Sequence, residues 1–466
     1  MNDPQTLLRN DAANLHRFLQ PIAKMCAVDP RDHPYYSDAS YKFFAYINGL
    51  IGNTLTYLEG LSQRSSKHPE IQHSLRLKLK TLRHSWGLLH QYIKPSLDAD
   101  TLHIPFPLLN VLNDKLQQVP RCENFECAVF HLTDLNYAML IDNEVNCVAN
   151  GIACKIDGEY FPPNLSLVGI PYSQSSGLFL NCLIPHEMAH FVYQEVMVNK
   201  VTQAVDNILN IHYPYRQGAS DEFLVALSQI KGLLNRWVEE IFCDLFAISL
   251  IGPAFTFAFA EMTSASLIID EPRDKVRRFF EFGQSHPADV ARYYLHKRHL
   301  QALGWWDHVK DWKTNSVVLL EHCSQVRGQT TPSNTISSNV GNLLNLQCFW
   351  DACDWLLDFV KEQIPTLEKD IEDLGGYYGE ISKYLARAIV PSTIIMESGP
   401  VYTTPIVLIN SAFRFVLEDF DKLLEKIGKE SLNSVKDRSW YTERLELWVL
   451  KALEDYRLLS ASQEAK

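Results

Sequence analysis

The chain contains no CxxC pair, no dense run of lysine and arginine, no uninterrupted apolar stretch of membrane-spanning length and no internal repeat of fixed period. Each absence removes a class of protein. Ten cysteines lie scattered between Cys26 and Cys353 without the short spacings of a disulfide framework, and read as buried thiols in a reducing compartment. The formal net charge of -12 is spread rather than blocked, so no surface that tracks a phosphate backbone is expected and no nucleic-acid partner is predicted. The opening residues, MNDPQTLLRNDAANLHRFLQ, lack the basic-then-apolar order of a secretory signal, and a cytoplasmic location is expected. LFAISLIGPAFTFAFA, residues 245–260, is uncharged but falls short of the roughly 20 residues needed to span a bilayer. Interrupted by Gly252-Pro253 and flanked by Asp244 and Glu261, it predicts a pair of buried helices and no membrane partner.

What is present is the composition of an ordinary globular protein: 466 residues, 46% hydrophobic and 21% charged. A chain of this length buries a core without metal or disulfide staples, so a metal ion here is expected to serve chemistry rather than folding. Apolar residues recur at helical spacing from about 5 to 115. The face of HSLRLKLKTLRHSWGLLHQYI rich in arginine and lysine reads as solvated. Between 120 and 175 the period changes: ECAVFHL, YAMLIDNEV, CVANGIACKIDG and LSLVGIPYS read as short strands, the last of them (165–173) able to offer an edge to an extended peptide. A helix is predicted over about 184–200, and a second, capped by Ser220, through 253. Beyond 294 only helices are predicted, at 294–302, 341–363, 368–388, 404–428 and 438–459, with 327–342 as a linker. The expected fold is mainly α with a small β-sheet (α+β), a zincin-like catalytic core inside a large helical protein. Its regions are 1–115 (helical), 116–300 (core) and 301–466 (helical).

One stretch carries chemistry. LIPHEMAHFVYQE, residues 183–195, contains His-Glu-x-x-His, with Pro185 suited to a first helical turn. Positions i and i+4 of a helix point the same way, so His186 and His190 can present ring nitrogens to one ion while Glu187, one step round, reaches a water molecule on it. Catalytic zinc needs a third protein ligand and an open fourth position. Glu240 is the predicted third ligand, and Asp244, one turn on, is placed to hold a ligand histidine by its other ring nitrogen. Glu239 competes, but its i+4 neighbour is Cys243 rather than an acid. The alternative reading makes His186 and His190 hydrogen-bonded core histidines, with Arg236 and Glu240 an i,i+4 ion pair on a solvated face.

HExxH followed by ExxxD on a later helix resembles the gluzincin class of zinc metallopeptidases, and Ser285-His286-Pro287 with Arg292 resembles the His-Pro and downstream Arg of HtpX-like peptidases. The likeness covers about 166–295. It implies that His186, His190 and Glu240 bind one Zn2+, that Glu187 is the base, and that Asp244 supports a ligand. The expected reaction is zinc-dependent hydrolysis of a peptide or protein substrate. His286 is the candidate donor to the oxyanion, with Tyr172 and Tyr193 as weaker ones. Arg292 is expected to hold Glu240 or Asp244 by a paired ion contact. Two other classes remain open: a catalytically silent zinc-containing protein whose helical regions bind a protein partner, and a hydrolase of some other amide or ester.

Overall fold

The computed structural model describes residues 4–27, 38–63, 68–98, 105–132, 139–171, 177–214, 220–269, 279–323, 330–333, 336–364, 368–426 and 435–464. It is mainly α with small sheets, as the sequence predicts. Two compact units are present, Met1–Asn113 with Asn124–Ser176, and Asp114–Glu123 with Gly177–Lys466.

In the first unit three long helices, α1 (Pro4–Cys26), α2 (Asp38–Gln63) and α3 (Pro69–Asp98), precede α4 (Phe106–Leu116), within which the division between units falls. Leu15 and Leu19, Phe43 and Ile47, and Leu82, Trp86 and Leu89 repeat at three- and four-residue spacing and are buried in one core. The sheet contains β1 (Glu126–Leu132), β2 (Met139–Leu140) and β3 (Leu165–Pro171), in the order β1-β3-β2, with α5 (Asp142–Ile156) in the connection. β1 and β3 run parallel from Glu126↔Leu165 to Leu132↔Pro171, while Met139 and Leu140 pair with Gly169 and Val168 on the other side of β3.

Two expectations change here. CVANGIACKIDG is helical through Ile156: Val145, Ala149, Ile152, Ala153 and Ile156 form a buried stripe with helical period, closed by Asp157 at φ 54. β3 is the central strand and is buried at every position, so over 167–169 it offers no free edge to a peptide. Tyr172 lies outside the described residues.

The second unit opens with α6 (Leu178–Asn181) and α7 (Ile184–Val192), which carries HExxH with Pro185 in its first turn. The helix runs beyond 200, as the sequence allows, to His212. It passes through a π turn, Tyr193–Met197, into α8 (Val198–His212). α9 (Asp221–Ile251) begins with the Phe223 N–H donating to Ser220 Oγ at 3.3 Å, and packs against α7 and α8. α10 (Pro253–Ile269) also lies against it. Between α9 and α10, Gly252 adopts φ +69, and a Cβ added there would lie 3.0 Å from the Trp305 ring, so the position demands glycine. Asn410 secures this turn, donating to Ile251 O and accepting from the Ala254 N–H, each at 2.8 Å. No described helix is long and apolar enough to cross a membrane.

Onward come β4 (Glu281–Phe282), α11 (Asp289–Ala302), α12 (Trp306–Val309), α13 (Asn315–His322), β5 (Thr331–Pro332), α14 (Ser338–Leu343), α15 (Gln347–Gln363) and α16 (Glu368–Leu385). The chain then forms β6 (Thr393–Met396), β7 (Gly399–Tyr402), α17 (Pro405–Arg414), a π turn (Phe415–Asp419), α18 (Phe420–Lys426) and α19 (Val435–Glu464). α11 and α15 complete the packing around α9. β6 and β7 are an antiparallel hairpin in a part read from sequence as purely helical. β5 and α14 fall inside the predicted linker, of which 327–329 and 334–335 lie outside the described residues. The sheet groups with the N-terminal helices and α7 with the C-terminal ones, whereas the sequence reading drew both into 116–300.

Candidate metal centre

Three helices of the second unit supply this centre: α7, α9 and α11. Burial of almost every residue of α7 around the motif fixes its two histidines against α9. The rings of His186 and His190 stand 5.0 Å apart and nearly perpendicular, and His186 lies parallel to Phe255 at 6.0 Å.

The two rings are held in the same sense. His190 Nδ1 lies 3.0 Å from Glu239 Oε1, and His186 Nδ1 lies 2.9 Å from Asp244 Oδ1, off the straight line of a hydrogen bond. Their Nε2 atoms are both turned to Glu240, at 3.6 Å from Oε2 for His186 and 3.7 Å from Oε1 for His190. These gaps are too long for hydrogen bonds. They are near the ~3.3 Å edge that separates nitrogen and oxygen donors around a tetrahedral zinc ion. Imidazoles that ligate zinc ordinarily hold a carboxylate or carbonyl with the other nitrogen, which fixes the tautomer. That orientation is compatible with a metal ion held between the two histidines.

Glu239, predicted only as a competitor for the metal, instead meets His190 Nδ1 on the side away from Glu240. Asp244 does more than hold His186. Fully buried, it accepts from Arg292 Nε at 2.7 Å and Nη2 at 2.6 Å, and His296 Nε2 stands 2.9 Å from its second oxygen. Burial opposes its charge, but Arg292 and His296 outweigh it and hold the carboxyl well below the usual range. Arg292 also reaches Glu240 at 3.7 Å and lies over the Phe259 ring at 4.4 Å, which gives it the predicted ion-pairing role. Burial likewise opposes the charge of Glu240, yet His186, Arg292 and His286 lower it to about 2. His186 answers in the opposite direction: burial disfavours its proton, and Asp244 and Glu240 hold it up at about 10.

Arg236 does not pair with Glu240. Its Nε donates to Gln284 O and the Trp237 indole donates to Gly283 O, each at 2.9 Å, tying the 283–286 segment to α9. His286, on that segment, is more than half exposed, with Nδ1 2.8 Å from Ser285 Oγ and Nε2 3.8 Å from Glu240 Oε1. It stands at the solvent side of the carboxylate. Glu187 is half-buried on α7, and its charge reaches Cys243. Tyr193 packs into the core against Phe242 at 5.5 Å, a position that does not favour it as an oxyanion donor.

Three residues went unread in the sequence as parts of this centre. Cys243 brings its sulfur within 4.8 Å of donor nitrogens on both His186 and His190. His296 supports Asp244, and His299, also fully buried, meets Ser249 Oγ at 2.8 Å. A signal for His296 existed: it follows Arg292 by four residues, so both reach the same face of a helix. Comparison with family models, with curated proteins and with solved structures finds no match for the chain.

Proposed function

We propose that the chain is a zinc-dependent peptidase with His186, His190 and Glu240 as metal ligands and Glu187 as general base. The observation that supports this reading most is the shared orientation of the two histidines: each Nδ1 faces an acid, and each Nε2 faces Glu240. Hydrogen bonding alone does not account for the convergence of both second nitrogens on one carboxylate at 3.6–3.7 Å.

A zinc ion held there supplies Lewis-acid activation of water and of the scissile carbonyl. The side chains do the rest. A carboxylate oxygen of Glu187 takes the proton of the attacking water and passes it to the leaving nitrogen. Glu239 keeps the His190 imidazole in one tautomer, Asp244 stands 2.9 Å from His186 Nδ1, and Arg292 holds Asp244 in place from behind. His286, at the exposed side of Glu240, is positioned to donate to the developing oxyanion. A peptide or protein is the proposed substrate.

Metal removal tests the reading. The chain purified without chelator is expected to cleave members of a peptide mixture, with products identified by mass spectrometry. Dialysis against a chelator is expected to abolish cleavage, and one equivalent of zinc to restore it. Cleavage that survives complete removal of metal contradicts the proposal.

A further inference from the structure

This inference rests on the metal centre proposed above and adds a ligand to it. The donor atoms of His186, His190 and Cys243 all lie within 4.8 Å of one another. The Cys243 thiol is fully buried on α9, three residues beyond Glu240 and therefore on a neighbouring part of the same face. Among the described residues none hydrogen-bonds its sulfur, whereas the buried thiols of Cys127 and Cys182 meet backbone carbonyls of Ala128 and Leu178 at 3.8 Å and 3.4 Å. Glu240 also lies near Arg292 Nη1 at 3.7 Å and His286 Nε2 at 3.8 Å.

We propose that Cys243 is a further ligand of the ion, alongside the two imidazoles and Glu240. The metal–sulfur bond forms as the S–H bond breaks, and the proton leaves to solvent; no oxidation is involved. Bond lengths of about 2.3 Å to sulfur and 2.0–2.1 Å to nitrogen give an edge of roughly 3.5 Å. Binding would draw the donors, now within 4.8 Å of one another, together to that distance. Four protein ligands would then surround the ion, and the attacking water would enter as a fifth. Sulfur ligation also sets the metal class, favouring zinc, cobalt and cadmium over magnesium, calcium and manganese.

Cobalt(II) reports the ligand directly. The full-length chain loaded with one equivalent of cobalt is expected to show the visible bands of a tetrahedral ion together with an intense near-ultraviolet band from thiolate-to-cobalt charge transfer. In Cys243→Ala the near-ultraviolet band is expected to vanish and cobalt affinity to fall at least about tenfold. X-ray absorption of the zinc-loaded natural chain gives the same answer without a variant, through one sulfur in the coordination shell. Tetrahedral cobalt without charge transfer, an unchanged band in Cys243→Ala, or a shell without sulfur overturns the role of Cys243 alone. A chain that takes up no metal overturns the metal centre as well.

Discussion

Replacement of Glu187 by Gln is expected to leave zinc bound at one ion per chain and to lower peptide hydrolysis by roughly 100- to 10,000-fold, the usual contribution of a general base. Gln keeps the shape and the hydrogen-bonding reach of the side chain but cannot accept the proton of the attacking water. Glu187 is not among the residues whose nitrogen or carboxylate atoms converge on Glu240, so the change leaves the donor set intact. Steady-state rates and metal content measured on the same preparation separate the two effects. Cleavage at the natural rate in Glu187→Gln contradicts its role. Loss of zinc together with rate makes Glu187 part of the donor set instead. A chain that cleaves no peptide, and in which the change alters neither partner binding nor cellular output, is the silent zinc protein that the sequence also allows.

The second large effect is expected at Asp244. In Asp244→Asn the buried Arg292 loses a charge partner that contacts it at 2.6 and 2.7 Å, and His186 and His296 lose the carboxylate beside them. Breaking a buried pair on one side costs about 3–5 kcal/mol, and chemical denaturation at neutral pH is expected to show a loss of that order. The loss has a pH signature in metal-depleted protein. Asp244 titrates below its ordinary value in the folded chain, so its stabilisation is complete above about pH 4 and disappears as pH falls through the folded value. His186, raised to about 10, acts at the other end: its contribution is complete below about pH 6.5 and fades as pH rises through 10. The gap between natural chain and Asp244→Asn is therefore expected to be level from pH 5 to 6 and to narrow below pH 4. A gap that stays constant down to pH 2 contradicts the charged role of Asp244.

How much of this was legible depended on whether the deciding signal was local. Pro185, the i,i+4 histidines and the Ser220 cap are written within single turns, and the structure places each where the spacing put it. Gly252-Pro253 likewise divides two buried helices as read. CVANGIACKIDG misled because Asn, Gly and β-branched residues resemble a strand end, although Val145, Ala149, Ile152 and Ile156 already carried a helical period. The hairpin at 393–402 escaped because its strands are four residues each, and two adjacent isoleucines in a short apolar run do not distinguish strand from helix.

The centre divides in the same way. Glu240 and Asp244 stood out as acids at the edge of an apolar run, and Arg292 followed from the need to neutralise one of them. Cys243 did not stand out, because a cysteine among Ile241, Phe242 and Leu245 reads as one more buried apolar residue. His296 depended on α11 packing beside α9, and the contact of Glu239 with His190 depended on the rotation of α9 against α7, neither of which spacing along one chain segment determines.

Metal content of the purified chain tests the central claim most directly. Protein prepared without chelator, offered zinc and freed of excess by gel filtration, is expected to retain one zinc ion per chain by elemental analysis. Glu240→Ala is expected to retain far less under the same treatment while keeping its helical content by circular dichroism. A folded natural chain that retains no stoichiometric zinc contradicts the account and leaves the convergence of His186, His190 and Glu240 as a buried cluster of charge contacts.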